Sequence, residues 1–88
     1  MLFMVIETFK GDAGAVYRRF RERGRMLPAG LRYVDSWVAR DAGRCFQLME
    51  CDEPRLFDEW IAHWQDLAAF EIVAVITSRE AAEAFSPP

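Results

Sequence analysis

Apolar and polar residues change their spacing several times along the 88-residue chain, and each change marks an element. Leu2-Phe-Met-Val-Ile-Glu-Thr-Phe9 is an apolar run of strand-favouring residues stopped by Lys10-Gly11-Asp12, which predicts a first strand that is apolar on both faces. A sheet with one face in water alternates apolar and polar residues, so such a strand needs cover on both sides. Ala13, Val16, Tyr17 and Phe20 follow helical spacing behind Asp12, a capping residue, and Gly24 is placed to end that helix. Pro28 disfavours helical geometry at Leu27, so residues 26–30 form a connection.

Two strand-like runs, residues 31–40 and 44–51, flank Asp41-Ala42-Gly43, which suits a three-residue hairpin loop with Gly43 in the left-handed position. Counting back from that loop pairs Trp37 with Gln47, Asp35 with Met49 and Tyr33 with Cys51 on one face. The other face then pairs Val38 with Phe46, Ser36 with Leu48 and Val34 with Glu50. Asp52 opens a second helix with Pro54 in its first turn, and Phe57, Trp60, Ile61, Trp64 and Ala68 make its apolar stripe. Residues 70–77 form a fourth strand, again mostly apolar on both faces. Thr77-Ser-Arg-Glu80 has capping-box form before a short Ala-rich helix ending near Phe85.

The order β-α-β-β-α-β, with a short C-terminal helix added, predicts one α+β domain over residues 1–88, ferredoxin-like, with a four-stranded antiparallel sheet and both long helices on one face. The bare face would carry Tyr33, Asp35, Trp37, Cys45, Gln47 and Met49 and is too apolar to leave in water. A second copy packed face to face would cover it, giving a two-fold homodimer, a dimeric α/β barrel.

With 52% hydrophobic and 28% charged residues the chain can build a core, unlike a disordered segment. A net charge of −3 argues against a general nucleic-acid binder. Arg18, Arg19, Arg21, Arg23, Arg25 and Arg32 nevertheless crowd one third of the chain, as a solvated helix face or, alternatively, as a patch for an anion or an acidic partner. The apolar start, Met1 to Ile6, is too short to span a membrane and lacks the basic residues of a signal peptide, so no membrane association is expected. Cys45 and Cys51 on one strand would lie roughly 20 Å apart, too far for a disulfide, and two free thiols fit a reducing cytoplasmic location.

The only histidine, His63, stands one helical turn after Glu59 and reads as a surface pair. One His, one nearby Glu and two distant cysteines do not make a metal site, and no phosphate loop, nucleophile elbow or redox pair occurs, so neither a metal nor a cofactor is expected. The third strand also lacks the Gly-and-aromatic signature of RNA-binding domains with this sheet order. What remains is the bare face, where Tyr33, Asp35, Trp37, Gln47 and Met49 combine aromatic walls with hydrogen-bonding groups. They form either a small-molecule site between two sheets or plain dimer contacts. Asp35 is the one catalytic candidate: enclosed in an apolar cavity it could move a proton, whereas paired with an arginine it would stay ionised and structural. Glu7 and Glu50 are expected on the opposite, helix-covered face, ion-paired with an arginine such as Arg25 or Arg32.

Phe3-Met-Val-Ile-Glu7, Tyr17-Arg-Arg-Phe-Arg-Glu-Arg-Gly-Arg-Met-Leu-Pro28, Tyr33-Val-Asp-Ser-Trp37 and Cys45-Phe-Gln-Leu-Met-Glu50 resemble an uncharacterised bacterial domain-of-unknown-function family of dimeric α/β-barrel type. The resemblance continues through Glu59-Trp60, Trp64-Gln-Asp-Leu67 and Phe70-Glu71 and so covers nearly the whole chain. It implies the fold and the dimer and transfers no catalytic residue. More distantly, the architecture is similar to small dimeric barrels that include cofactor-free monooxygenases, lactone isomerases and stress-responsive proteins, an analogy of fold only. Three functions stay open. The first is a homodimer that is non-catalytic or binds a small molecule. The second is a cofactor-independent monooxygenase or isomerase acting on a small aromatic or lactone-like compound, with Asp35 as proton acceptor and Tyr33, Trp37 and Gln47 orienting it. The third is an adaptor that docks an acidic partner through the arginine-rich first helix.

Overall fold

The computed structural model describes residues 1–87. Its elements are β1 (Leu2–Phe9), α1 (Ala13–Arg23), β2 (Arg32–Val38), β3 (Arg44–Glu50), α2 (Leu56–Ala62), β4 (Ala68–Val75) and α3 (Ser78–Ala84). The four strands form one antiparallel sheet in the order β2-β3-β1-β4, the ferredoxin-like arrangement that the sequence order predicts.

The local signals at the ends of α1 and α3 act as expected. Asp12 accepts from the Gly14 amide at 3.0 Å, and Gly24, at φ 68°, turns the chain out of α1 while its amide donates to the Phe20 carbonyl. Thr77 and Glu80 form the reciprocal capping box of α3. The second helix departs from expectation. It begins at Leu56 rather than after Asp52, because the carbonyls of Glu53, Pro54 and Arg55 are taken by a run of i→i+3 bonds from Leu56, Phe57 and Asp58. It also ends at Ala62. A turn in which Trp64 donates to Ile61, and Ala68 to Trp64, keeps the apolar stripe facing the sheet without continuing the helix, so β4 starts at Ala68, two residues early.

The core lies between the helices and one face of the sheet. Phe3 and Val5 of β1, Met49 of β3, Leu31, Cys51 and the aromatic stripe Phe57, Trp60 and Trp64 are buried there. Phe3 meets Phe57 edge-on at 5.2 Å, and Trp60 meets Phe70 of β4 at 5.5 Å. Arg19 ties α1 to the turn after α2, donating to both carboxylate oxygens of Asp66 at 2.7 and 2.8 Å and to the His63 carbonyl. That bidentate grip holds Asp66 well below its ordinary range, at about 2.

The hairpin register corrects the expected pairing. Val38 lies opposite Cys45, Trp37 opposite Phe46, Ser36 opposite Gln47 and Asp35 opposite Leu48, one residue out of step with the expectation. The cause is the loop. The Ala39 amide donates to Arg44, so residues 40–43 make a four-residue connection, and Ala42 rather than Gly43 takes the left-handed conformation, at φ 60°. A bulge at Val34 then moves Tyr33 opposite Met49. Because side chains alternate along a strand, the slip turns all of β3 over. Cys45, Gln47 and Met49 lie under the helices, beside Glu7, Val5 and Phe3 of β1. The open face instead carries Leu2, Met4 and Ile6, Phe46 and Leu48, Val73 and Val75, with Trp37 half exposed and Asp35 beside it. Glu50 is likewise on the open side, where Arg32 Nε donates to it at 3.1 Å, rather than on the helix-covered face.

Candidate functional site

Glu7 stands near the end of β1, the strand paired on both sides by β3 and β4. Its odd register places it with Phe3 and Val5 on the helix side, so a carboxyl enters the space below α1 and is only 7% exposed. Gln47, one pair along on β3 and 8% exposed, turns its amide Nε2 to Glu7 Oε1. The expected arginine ion pair is absent at this carboxyl: its hydrogen-bond donor among the described residues is an uncharged amide. Burial raises Glu7 from 4.5 to about 7, against the opposing effects of the Gln47 donor and the more distant Arg25 charge. A carboxyl that titrates near neutrality in apolar surroundings can accept a proton and give it back.

The rest of the site follows from the end of α1. Gly24 stops the helix, and the Arg25 carbonyl then accepts the indole N–H groups of both Trp60 and Trp64, each at 3.0 Å. Two core tryptophans thereby fix the connection at Arg25, and the next residue, Met26, takes a left-handed φ of 59°. The Arg25 guanidinium lies across the Tyr33 ring at 3.6 Å and near Phe20 at 5.0 Å.

Between these groups is a half-open cavity of about 130 Å³. Its apolar walls come from Phe9, Val16, Phe20, Val38, Trp60 and Trp64; Glu7, Tyr17, Arg25, Ser36, Cys45 and Gln47 supply the polar atoms. Burial, reinforced by the Glu7 charge, pushes the Cys45 thiol up to about 11, so it is a packing group and no nucleophile at neutral pH. Burial also raises the Tyr17 hydroxyl above its ordinary value. Gln47 Oε1 is buried and accepts no hydrogen bond from the described residues.

The five residues expected to line one face are divided by the register. Gln47 is in the cavity and Met49 is fully buried in the core beneath the helices. Tyr33 does not line the cavity but packs under Arg25, which does, with its hydroxyl 2.7 Å from Ser36 Oγ. Asp35 and Trp37 face the other way, and Asp35 Oδ1 accepts from the Ser36 amide at 2.8 Å. Glu7 is the residue whose importance the sequence understated. The available signal was a lone carboxylate in an otherwise apolar strand, on the same parity as two core residues. Among the described residues no cluster of His, Cys, Asp and Glu could hold a metal ion, and no helix is long and apolar enough to cross a membrane.

Residues 1–87 match a family model described as a domain of unknown function (DUF3303). No curated protein and no solved structure matches the chain at a significant level.

Proposed function

The chain belongs to the DUF3303 family, a domain of unknown function, and from that premise we propose that it is a homodimeric protein that binds a small molecule in the cavity between α1 and the sheet. The observation that carries the ligand is the cavity's composition: aromatic walls around a buried carboxyl and an amide oxygen with no partner. Gln47 belongs to this site, and Tyr33 supports it from behind Arg25. Asp35 and Trp37 are assigned to the dimer face. Proton transfer, as a second use of the cavity, would fall to Glu7, since Asp35 is turned to the backbone on the opposite side of the sheet. Docking of an acidic partner by α1 would have to do without Arg19, which is engaged by Asp66.

Ligand binding is tested with single-ring probes such as toluene and phenol, followed by NMR. The indole N–H signals of Trp60 and Trp64 should shift on titration while that of Trp37, across the sheet, stays in place. Val16→Phe, which fills the cavity from α1, should abolish the shifts while leaving the fold intact. Shifts led by Trp37, or none in either protein at millimolar probe, would remove the cavity from consideration.

The dimer is supported by the open face, whose apolar residues include Leu2, Met4, Ile6, Leu48 and Val73, with Arg44 against Asp35 and Glu71 as charges of both signs and Arg32 already paired with Glu50. A two-fold axis can bring each sign against its opposite. The chain is also more extended than a closed monomer. Its radius of gyration is 14.6 Å, against about 12 Å expected for a domain of this length. α3 buries none of its residues, and Phe85 beyond it is 84% exposed. Light scattering should give twice 10.2 kDa at micromolar concentration. Met4→Arg, placing a charge between Leu48 and Val73 at the centre of the face, should weaken association by about a hundredfold or more. A monomeric wild-type protein at that concentration rejects the dimer.

A further inference from the structure

Resting on the small-molecule reading of the cavity, we infer that its ligand is a neutral single-ring compound of the phenol class, with the ring among the aromatic walls and the hydroxyl donated to the Glu7–Gln47 pair. Size comes first. A cavity of about 130 Å³ is close to the roughly 150 Å³ apolar cavity that accommodates benzene. It holds one ring and little more.

Hydrogen-bond capacity decides what that ring carries. The indole donors of Trp60 and Trp64 are both spent on the Arg25 carbonyl. The Ser36 hydroxyl is engaged with Tyr33. The Gln47 amide N–H faces Glu7 Oε1, an orientation that keeps its oxygen away from the carboxyl and leaves Gln47 Oε1 buried without a donor. Glu7 Oε2 accepts no bond from the described residues. Above pH 7, where Glu7 is ionised, Glu7 Oε2 and Gln47 Oε1 are two neighbouring acceptors without a donor among the described residues, and a ligand satisfies them by donating.

Charge narrows the class further. An anionic ring compound would bring its carboxylate against Glu7 in poorly solvated surroundings. A cationic amine at that end would donate to Glu7 but would lose its own hydration there and stand in the field of Arg25, whose charge already reaches Glu7. A neutral ring with one hydroxyl avoids both repulsions and fills the unmet acceptor sites, whereas toluene fills the volume alone.

Titration of the wild-type protein at pH 8, where Glu7 is ionised, with phenol, anisole, toluene, benzoate and benzylammonium separates the possibilities. Phenol should bind about tenfold more tightly than anisole or toluene, the worth of one hydrogen bond to an otherwise unsatisfied buried acceptor. Benzoate and benzylammonium should bind more weakly than toluene. Gln47→Leu, close in volume, removes one of the two acceptors and leaves Glu7, so it should narrow the phenol preference over anisole without abolishing it. Equal binding of phenol, anisole and toluene overturns the donor assignment and leaves the cavity a general apolar site. Preference for benzoate or benzylammonium overturns the charge argument. Failure of every probe to bind removes this inference together with the cavity reading on which it rests.

Discussion

Glu7→Gln will be more stable than the wild-type protein at pH 8, by about 3 kcal/mol, and nearly equal to it at pH 5. The figure follows from a carboxyl raised by burial from 4.5 to about 7, at about 1.4 kcal/mol for each pKa unit. The direction follows from which state holds the proton. The unfolded chain releases it near pH 4.5 and the folded chain near 7, so between those values unfolding releases a proton and rising pH favours the unfolded state. The advantage of protonated Glu7 is complete below its unfolded value and gone once the pH passes its folded one.

The groups that face this carboxyl are Gln47 and Cys45 from β3, Tyr17 from α1 and Arg25 from the connection after it. Cys45, at about 11, stays neutral in this range. Glu7 is thus the group there that changes charge between pH 5 and pH 8. The glutamine keeps the acceptor for Gln47 Nε2 and cannot ionise. Urea denaturation of both proteins at one protein concentration, at pH 5 and pH 8, measures the difference directly. A gap between wild type and variant that is the same at both pH values would mean that Glu7 ionises freely in the folded protein, contrary to its burial.

How far the sequence foretells this site depends on whether each feature is decided locally. Asp12, Gly24 and the Thr77–Glu80 box act within one turn of chain, and each appears in the structure where the sequence puts it. The faces of β3 are decided elsewhere. β1 pairs along its length with β3, so Phe3, Val5 and Glu7 carry Met49, Gln47 and Cys45 with them to the helix side. The hairpin loop has to follow. A count from Asp41-Ala42-Gly43 alone cannot detect the one added residue in the connection, and alternation converts that single residue into an inverted strand. Pattern could not resolve the ambiguity, since Cys45-Phe-Gln-Leu-Met-Glu50 has apolar residues on both parities. The same slip separates Gln47 from Asp35 and joins it to Glu7. Glu7 itself is readable as helix-facing from its parity with Phe3 and Val5, but its amide partner comes from a strand 40 residues away.

Trp60→Ala should cost about 3–5 kcal/mol, within the range for removing a buried aromatic side chain, and so most of the stability ordinarily available to a domain of this size. Trp60 is 2% exposed and links three parts of the molecule. Its ring meets Phe57 on its own helix at 6.3 Å and Phe70 of β4 at 5.5 Å. Its indole N–H holds the Arg25 carbonyl. Trp60→Phe separates these roles. The phenyl ring retains much of the packing and loses the hydrogen bond with part of the buried ring, at about 1–2 kcal/mol, because Trp64 still donates to the same carbonyl. The milder variant also bears on the site, since a connection held by one indole instead of two leaves Arg25 less firmly seated between Phe20 and Tyr33. Because Trp60 is also a cavity wall, the variant should change toluene binding as well as weaken discrimination against benzylammonium. Urea midpoints for the two variants provide the stability test. If Trp60→Phe is as damaging as Trp60→Ala, the double grip on Arg25, and not the packing of the ring between helix and sheet, is what holds this end of the cavity closed.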